Sequence, residues 1–132
     1  MLFRSTSSKK ALALDPNLKE ATIIYATSEV LIGDAGKIIP TLEALLKKIP
    51  EYPLALAILA VAYCIEGERE KGLKNIKLIA KMGFETARYL HDLSKMLIST
   101  GKTDSAVSLL EFAVECGKGT REIRELLDGL MV

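Results

Sequence analysis

The sequence predicts an all-α protein, a stack of three helix-turn-helix repeats closed by a carboxyl-terminal capping helix. Three observations carry that prediction. Gly33, Gly67 and Gly101 fall at intervals of 34 residues, and Pro16 and Pro50 keep the same interval. Between these markers apolar residues recur at helical spacing: Leu56, Leu59, Ala60 and Tyr63 stand at i, i+3, i+4 and i+7. Written in rows of that period, the chain puts like chemistry in each column, which marks a stacked supersecondary unit and not a chance spacing of glycines.

The first row predicts helices over 19–32 and 35–48, the second over 53–66 and 69–82, the third over 87–100 and 103–116. On the first helices, Tyr25, Leu59 and Leu93 share a column, followed by Ala26, Ala60 and Ser94. A large apolar residue is thus followed by a small one, which lets two helices approach closely. On the second helices, Leu42, Ile76 and Leu110 line up, as do Leu45, Ile79 and Ala113, and mark the core face. Each ladder glycine is read as the end of a first helix, where a positive φ carries no Cβ penalty. Asp15-Pro16 and Ile49-Pro50 close second helices, because proline disfavours helical geometry at the preceding residue and has no N–H to extend the ladder. Met82-Gly83-Phe84 does that with glycine instead.

Thr120-Arg-Glu-Ile reads as a capping-box start, and Ile123, Leu126, Leu127 and Leu130 form one apolar stripe that covers the exposed end of the third unit. The expected organisation is a flexible segment over 1–10 and a repeat domain over 11–132. Its units run over about 19–52, 53–86 and 87–119, with the capping helix at 120–131.

Composition narrows the function classes. A chain of 132 residues suits one domain that buries roughly two thirds of its unfolded surface. It is 49% apolar with a mean hydropathy of +0.23, yet no apolar run approaches the ~20 residues that span a bilayer, so no membrane partner is expected. Eighteen basic residues against seventeen acidic ones leave a net charge of +1, too little overall pull to expect nucleic acid. Met1 to Lys10 lacks the continuous apolar core of a secretory signal, and a cytoplasmic location is expected.

Cys64 and Cys116 lie far apart in sequence and outside any Cys/His cluster, so buried, inert thiols are expected and no metal or cofactor. His91 is the one histidine, with no glycine elbow or matching Asp motif, so no catalytic residue is assigned and the chain is read as no enzyme. Gly117-Lys118-Gly119-Thr120 has the residue types of a phosphate loop but lacks the glycine four residues earlier and the preceding strand.

Together these residues resemble the tetratricopeptide repeat family, over roughly Ala11 to Val132. Ala11-Leu-Ala-Leu-Asp-Pro-Asn17 looks like the end of a family second helix, and Ala106 matches the small residue expected early in that helix. Departures are present: Thr22 replaces the opening aromatic, Glu29 stands where Tyr63 stands one row later, and Ile38 and Gly72 occupy the column of Ala106. The resemblance implies a right-handed superhelical stack whose first helices line a concave groove, acting as a noncatalytic scaffold for protein binding.

It also implies which positions face that groove. They are Ile23 and Thr27 in the first row, Leu54, Ala57, Val61 and Cys64 in the second, and Arg88, His91 and Lys95 in the third. Such a groove is apolar centrally and basic at one end. Arg88, His91 and Lys95 fall at i, i+3 and i+7, on one helical face, where they suit the acidic end of a peptide or partner helix. The carboxylate clamp of chaperone adaptors in this family is not matched, since Ile23, Thr27 and Ile58 stand where Lys and Asn are needed. The alternative is assembly: the apolar residues serve self-association as a homo-oligomer, or the chain is a piece of a longer repeat array.

Overall fold

The computed structural model describes residues 19–83 and 85–131, and among these every regular element is a helix. In chain order they are α1 (Lys19–Ile32), α2 (Ala35–Lys48), α3 (Pro53–Ile65), α4 (Arg69–Ala80), α5 (Thr86–Ser99), α6 (Thr103–Glu115) and α7 (Arg121–Leu130). The segment 1–10, the half-unit at 11–17 with Pro16, and Phe84 lie outside the described residues.

Burial follows the 34-residue period. Ala26, Ala60 and Ser94 are all fully buried, and so are Leu42, Ile76 and Leu110, with Leu45, Ile79 and Ala113 beside them. The five large aliphatic residues of those last two columns contribute about 10 kcal/mol of apolar burial before conformational entropy is set against it. Each helix from α1 to α4 packs on the next, as do α5 on α6 and α6 on α7, and α7 also lies on α5. Ile123 is fully buried in that last contact, with Leu126, Leu127 and Leu130 packed against the core. At the start of α7 the Thr120 hydroxyl accepts a hydrogen bond from the Ile123 N–H at 3.3 Å, a simple N-cap and not the expected capping box, because Ile123 has no side-chain acceptor to return a bond to the Thr120 amide.

The turns split into two kinds. Gly67, Gly101 and Gly117 have φ of 84°, 84° and 76°. After each, the next amide donates to the carbonyl five residues back: Glu68 to Tyr63 at 2.7 Å, Lys102 to Leu97 at 2.8 Å and Lys118 to Ala113 at 2.7 Å. That bond satisfies a carbonyl left unpaired by the helix end, and it requires the left-handed residue that glycine supplies.

Gly33 corrects the expectation that every ladder glycine does this, because its φ is not positive. Here the Asp34 amide donates to the Glu29 carboxylate at 2.9 Å. Glu29 occupies the column of Tyr63, so at the first turn a side chain takes the bond that a backbone carbonyl takes at the second. A further departure is Pro40, which lies inside α2 on its exposed side and leaves the carbonyl of Gly36 without its helical donor.

Helix α3 is the centre of the molecule. It meets α1, α2, α4 and α6, and Ala55 to Tyr63 are buried without a break. Tyr63 ties it to α2 by donating a 2.6 Å hydrogen bond to Glu43, and Asn75 ties α4 to it by donating to the Leu56 carbonyl at 3.3 Å.

The third pair meets the second through α6, which packs on both α3 and α4. Gly72 makes that docking close. A Cβ there would stand 3.0 Å from the Ala60 carbonyl oxygen, 3.2 Å from Cys64 Sγ and 3.4 Å from the Phe112 ring. The notch left by the missing side chain receives Phe112, which is fully buried, with the Arg69 guanidinium 4.7 Å from its ring centroid. Arg69 also pairs with Glu111 at 2.9 Å.

Candidate functional site

The residues expected to line one groove separate into three environments. Ile23 is buried, and Thr27 is half-buried with its hydroxyl donating to the Ile23 carbonyl at 2.7 Å, a bond internal to α1. In the second row Ala57 and Val61 are fully buried, while Leu54 and Cys64 at the two ends of α3 are half-buried. Arg88 and Lys95 are exposed and His91 is half-buried. Ala57 and Val61 are therefore corrected from groove lining to core. The physical reason is the enclosure of α3 by four neighbours, which leaves no open apolar floor along its middle.

The third row does border open space. A cleft of about 580 Å³ lies between the start of α5 and the loop that leads into α7. Arg88 and His91 line it, and Lys95, one turn further along α5, does not. Lys118, Thr120 and Glu122 form the opposite wall, and Glu85 and Asp92 complete the near one. Acidic and basic groups stand side by side within the cleft. Arg88 lies 3.8 Å from Glu85, and His91 Nδ1 lies 3.6 Å from Asp92, an ion pair once the imidazole is protonated. Both contacts are open to solvent on their acidic side and contribute little to stability.

A second depression, of about 350 Å³, lies between the end of α4 and the loop after α6. Lys77, Ala80, Lys81, Cys116, Gly117 and Lys118 line it, so Lys118 stands on the ridge between the two. The sequence signal for this surface is the i, i+4 spacing of Lys77 and Lys81 on the exposed side of α4. What joins them to Lys118 is tertiary packing, which no local pattern encodes.

The thiols are poor nucleophiles in this setting. Burial pushes Cys64 up to about 11, against a smaller opposing pull from Arg69. Cys116 is also raised, by burial first and then by Glu115, with Lys77 opposing. A raised thiol stays protonated near neutral pH and reacts slowly. Both cysteines are free, and among the described residues no group of His, Cys, Asp and Glu side chains is placed to hold a metal ion. Tyr63 is held well above the ordinary phenol range by burial and by its bond to Glu43. Burial also raises Tyr89, to about 12, with Tyr52 adding to it.

Among the described residues no helix is long and apolar enough to cross a membrane. No protein-family model matches the chain, and a search of curated proteins finds no match.

Proposed function

We propose that this chain is a noncatalytic interaction domain of the tetratricopeptide-like kind, a cytoplasmic scaffold that binds a peptide or partner helix. The cleft between α5 and the α6–α7 loop carries the proposal: it is large enough for several side chains of a bound segment. Its walls offer both signs of charge, Arg88, His91 and Lys118 with Glu85, Asp92 and Glu122. A partner segment with alternating charge suits it better than one that is acidic throughout. The rigid helix pairs beneath hold those groups in place, as a scaffold requires.

Pull-down from source lysate with the immobilised chain tests this. Arg88→Glu is expected to lower capture of the bound partner by about tenfold, and Lys95→Glu, outside the cleft, to leave it unchanged. Capture that survives Arg88→Glu undiminished would overturn the proposal.

Assembly is the second reading, favoured by one surface. On α1, Ile24 and Ile32 are 69% and 79% exposed, two turns apart, with exposed Ala21 and Ser28 on the same side. Light scattering across a concentration series would show dimers that disappear in Ile24→Lys with Ile32→Lys; a monomer at every concentration excludes it.

A further inference from the structure

The positive charge best placed to attract a partner lies away from the expected basic face. Arg88 has Glu85 beside it, His91 has Asp92, and their cleft also contains Glu122. By contrast, Lys77, Lys81 and Lys118 converge on the depression between the end of α4 and the loop after α6, and no carboxylate lines it. Nor does any of the three form an ion pair among the described residues.

Two helix ends open there, α4 at Ala80–Lys81 and α6 at Cys116–Gly117. Each brings roughly half an elementary negative charge from its aligned peptide dipoles, about one charge together. Glu115, next to Cys116, offsets one more charge, so three ammonium groups exceed the helix ends and this carboxylate by about one charge and leave a net positive site.

We infer that this depression binds the clustered negative charge of an acidic peptide segment, carboxylates or phosphoserine, through Lys77, Lys81 and Lys118. Three independent point charges on flexible stems suit the multiple oxygens of such a segment without the planar match an arginine demands. Leu78, 44% exposed, lies next to Lys77 and one turn before Lys81, outside the lining of the depression, where a peptide that runs past its edge would find an apolar surface. A polynucleotide is a poorer fit. No aromatic ring lines the depression to stack a base, and the chain as a whole carries only +1. Because Lys118 borders both openings, a segment seated in the α5–α7 cleft continues into this depression.

The inference rests on the reading of the chain as a peptide-binding scaffold, and the experiment separates the two. Short synthetic peptides with a leucine flanked by phosphoserines, by glutamates or by glutamines are titrated into the full chain and followed by backbone amide shifts. The phosphoserine and glutamate peptides are expected to bind, weakening as salt rises, with shifts centred on Lys77, Lys81, Gly117 and Lys118. Comparing those two arms identifies the source of the negative charge. The triple change Lys77→Gln, Lys81→Gln and Lys118→Gln is expected to weaken acidic-peptide binding by about tenfold or more while the helical circular dichroism and melting are retained.

Equal affinity for the glutamine peptide, equal affinity in the triple variant, or shifts elsewhere would each overturn the inference. So would binding of a single-stranded oligonucleotide or anionic vesicles in place of both acidic peptides. If the triple variant binds as well as the unaltered chain while Arg88→Glu still lowers partner capture, the lysine site falls and the scaffold reading stands.

Discussion

Helices α3 and α5 hold the same place in consecutive rows of the repeat, yet one is enclosed and the other has two faces. Ala57 and Val61 on α3 are fully buried, whereas His91 and Lys95, at the equivalent positions of α5, are half-buried and exposed. Composition matches: α3 contains no charged residue, and α5 carries Arg88, Asp92 and Lys95. On α5 the buried residues Leu90, Leu93 and Leu97 form the narrower stripe of a surface helix. A period therefore marks where helices start and stop without deciding what each packs against. Both rows contribute to the core, the second through a helix enclosed along its middle and the third through one face of α5 and of α6, so the third also leaves a face open.

The sharpest way to break this contrast is one charge placed at the two equivalent sites. Val61→Asp is expected to cost about 4 kcal/mol or more, because it strands a carboxylate in an enclosed apolar setting. Lys95→Asp should stay within about 0.5 kcal/mol. Urea unfolding followed by circular dichroism measures both, and comparable costs would show that α3 is not enclosed.

Phe112→Ala attacks the joint between the two regions. Its expected cost is about 3–5 kcal/mol, since a fully buried ring leaves a cavity against Gly72 and Cys64. Hydrogen exchange should then lose protection in α5, α6 and α7 more than in α1 and α2. A uniform loss would mean that the third pair does not depend on this contact more than the rest does.

The smallest effect compares the two kinds of turn. Gly67→Ala forces a Cβ into the left-handed region and should cost about 1 kcal/mol. Gly33→Ala meets no left-handed strain; its Cβ displaces the Glu29 carboxylate and with it the bond to Asp34, and stands 3.2 Å from the Glu29 Cα, a contact relieved by a shift of a few tenths of an ångström, so a smaller loss of melting temperature is expected. Equal losses would erase the distinction between a backbone-closed and a side-chain-closed turn.

Much of this was legible in the residues. The columns led by Leu42 and Leu45 are buried in every row, because a core face repeats at helical spacing and spacing is local. Glu29 and Gly72, which depart from the expected pattern, proved to be where the structure departs as well: Glu29 closes a turn, and Gly72 accepts Phe112. Their consequences were not legible, since each depends on a partner that spacing does not name. The same limit applies to the candidate sites. Arg88 and His91 were found by their shared helical face, but the opposing Glu122 and Lys118 come from another element, and Lys118 meets Lys77 and Lys81 only across a packed interface.

From the residues alone came the helices and the ends of α3, α4 and α5 at Gly67, Gly83 and Gly101, all of positive φ, because backbone hydrogen bonds within a helix and at its end are satisfied by near neighbours. Tertiary structure alone decided that α3 is enclosed, that α6 is the element docking on α3 and α4, and that three lysines share one depression. Those outcomes turn on the volumes of residues far apart in the chain, above all a missing side chain at Gly72 and a large one at Phe112.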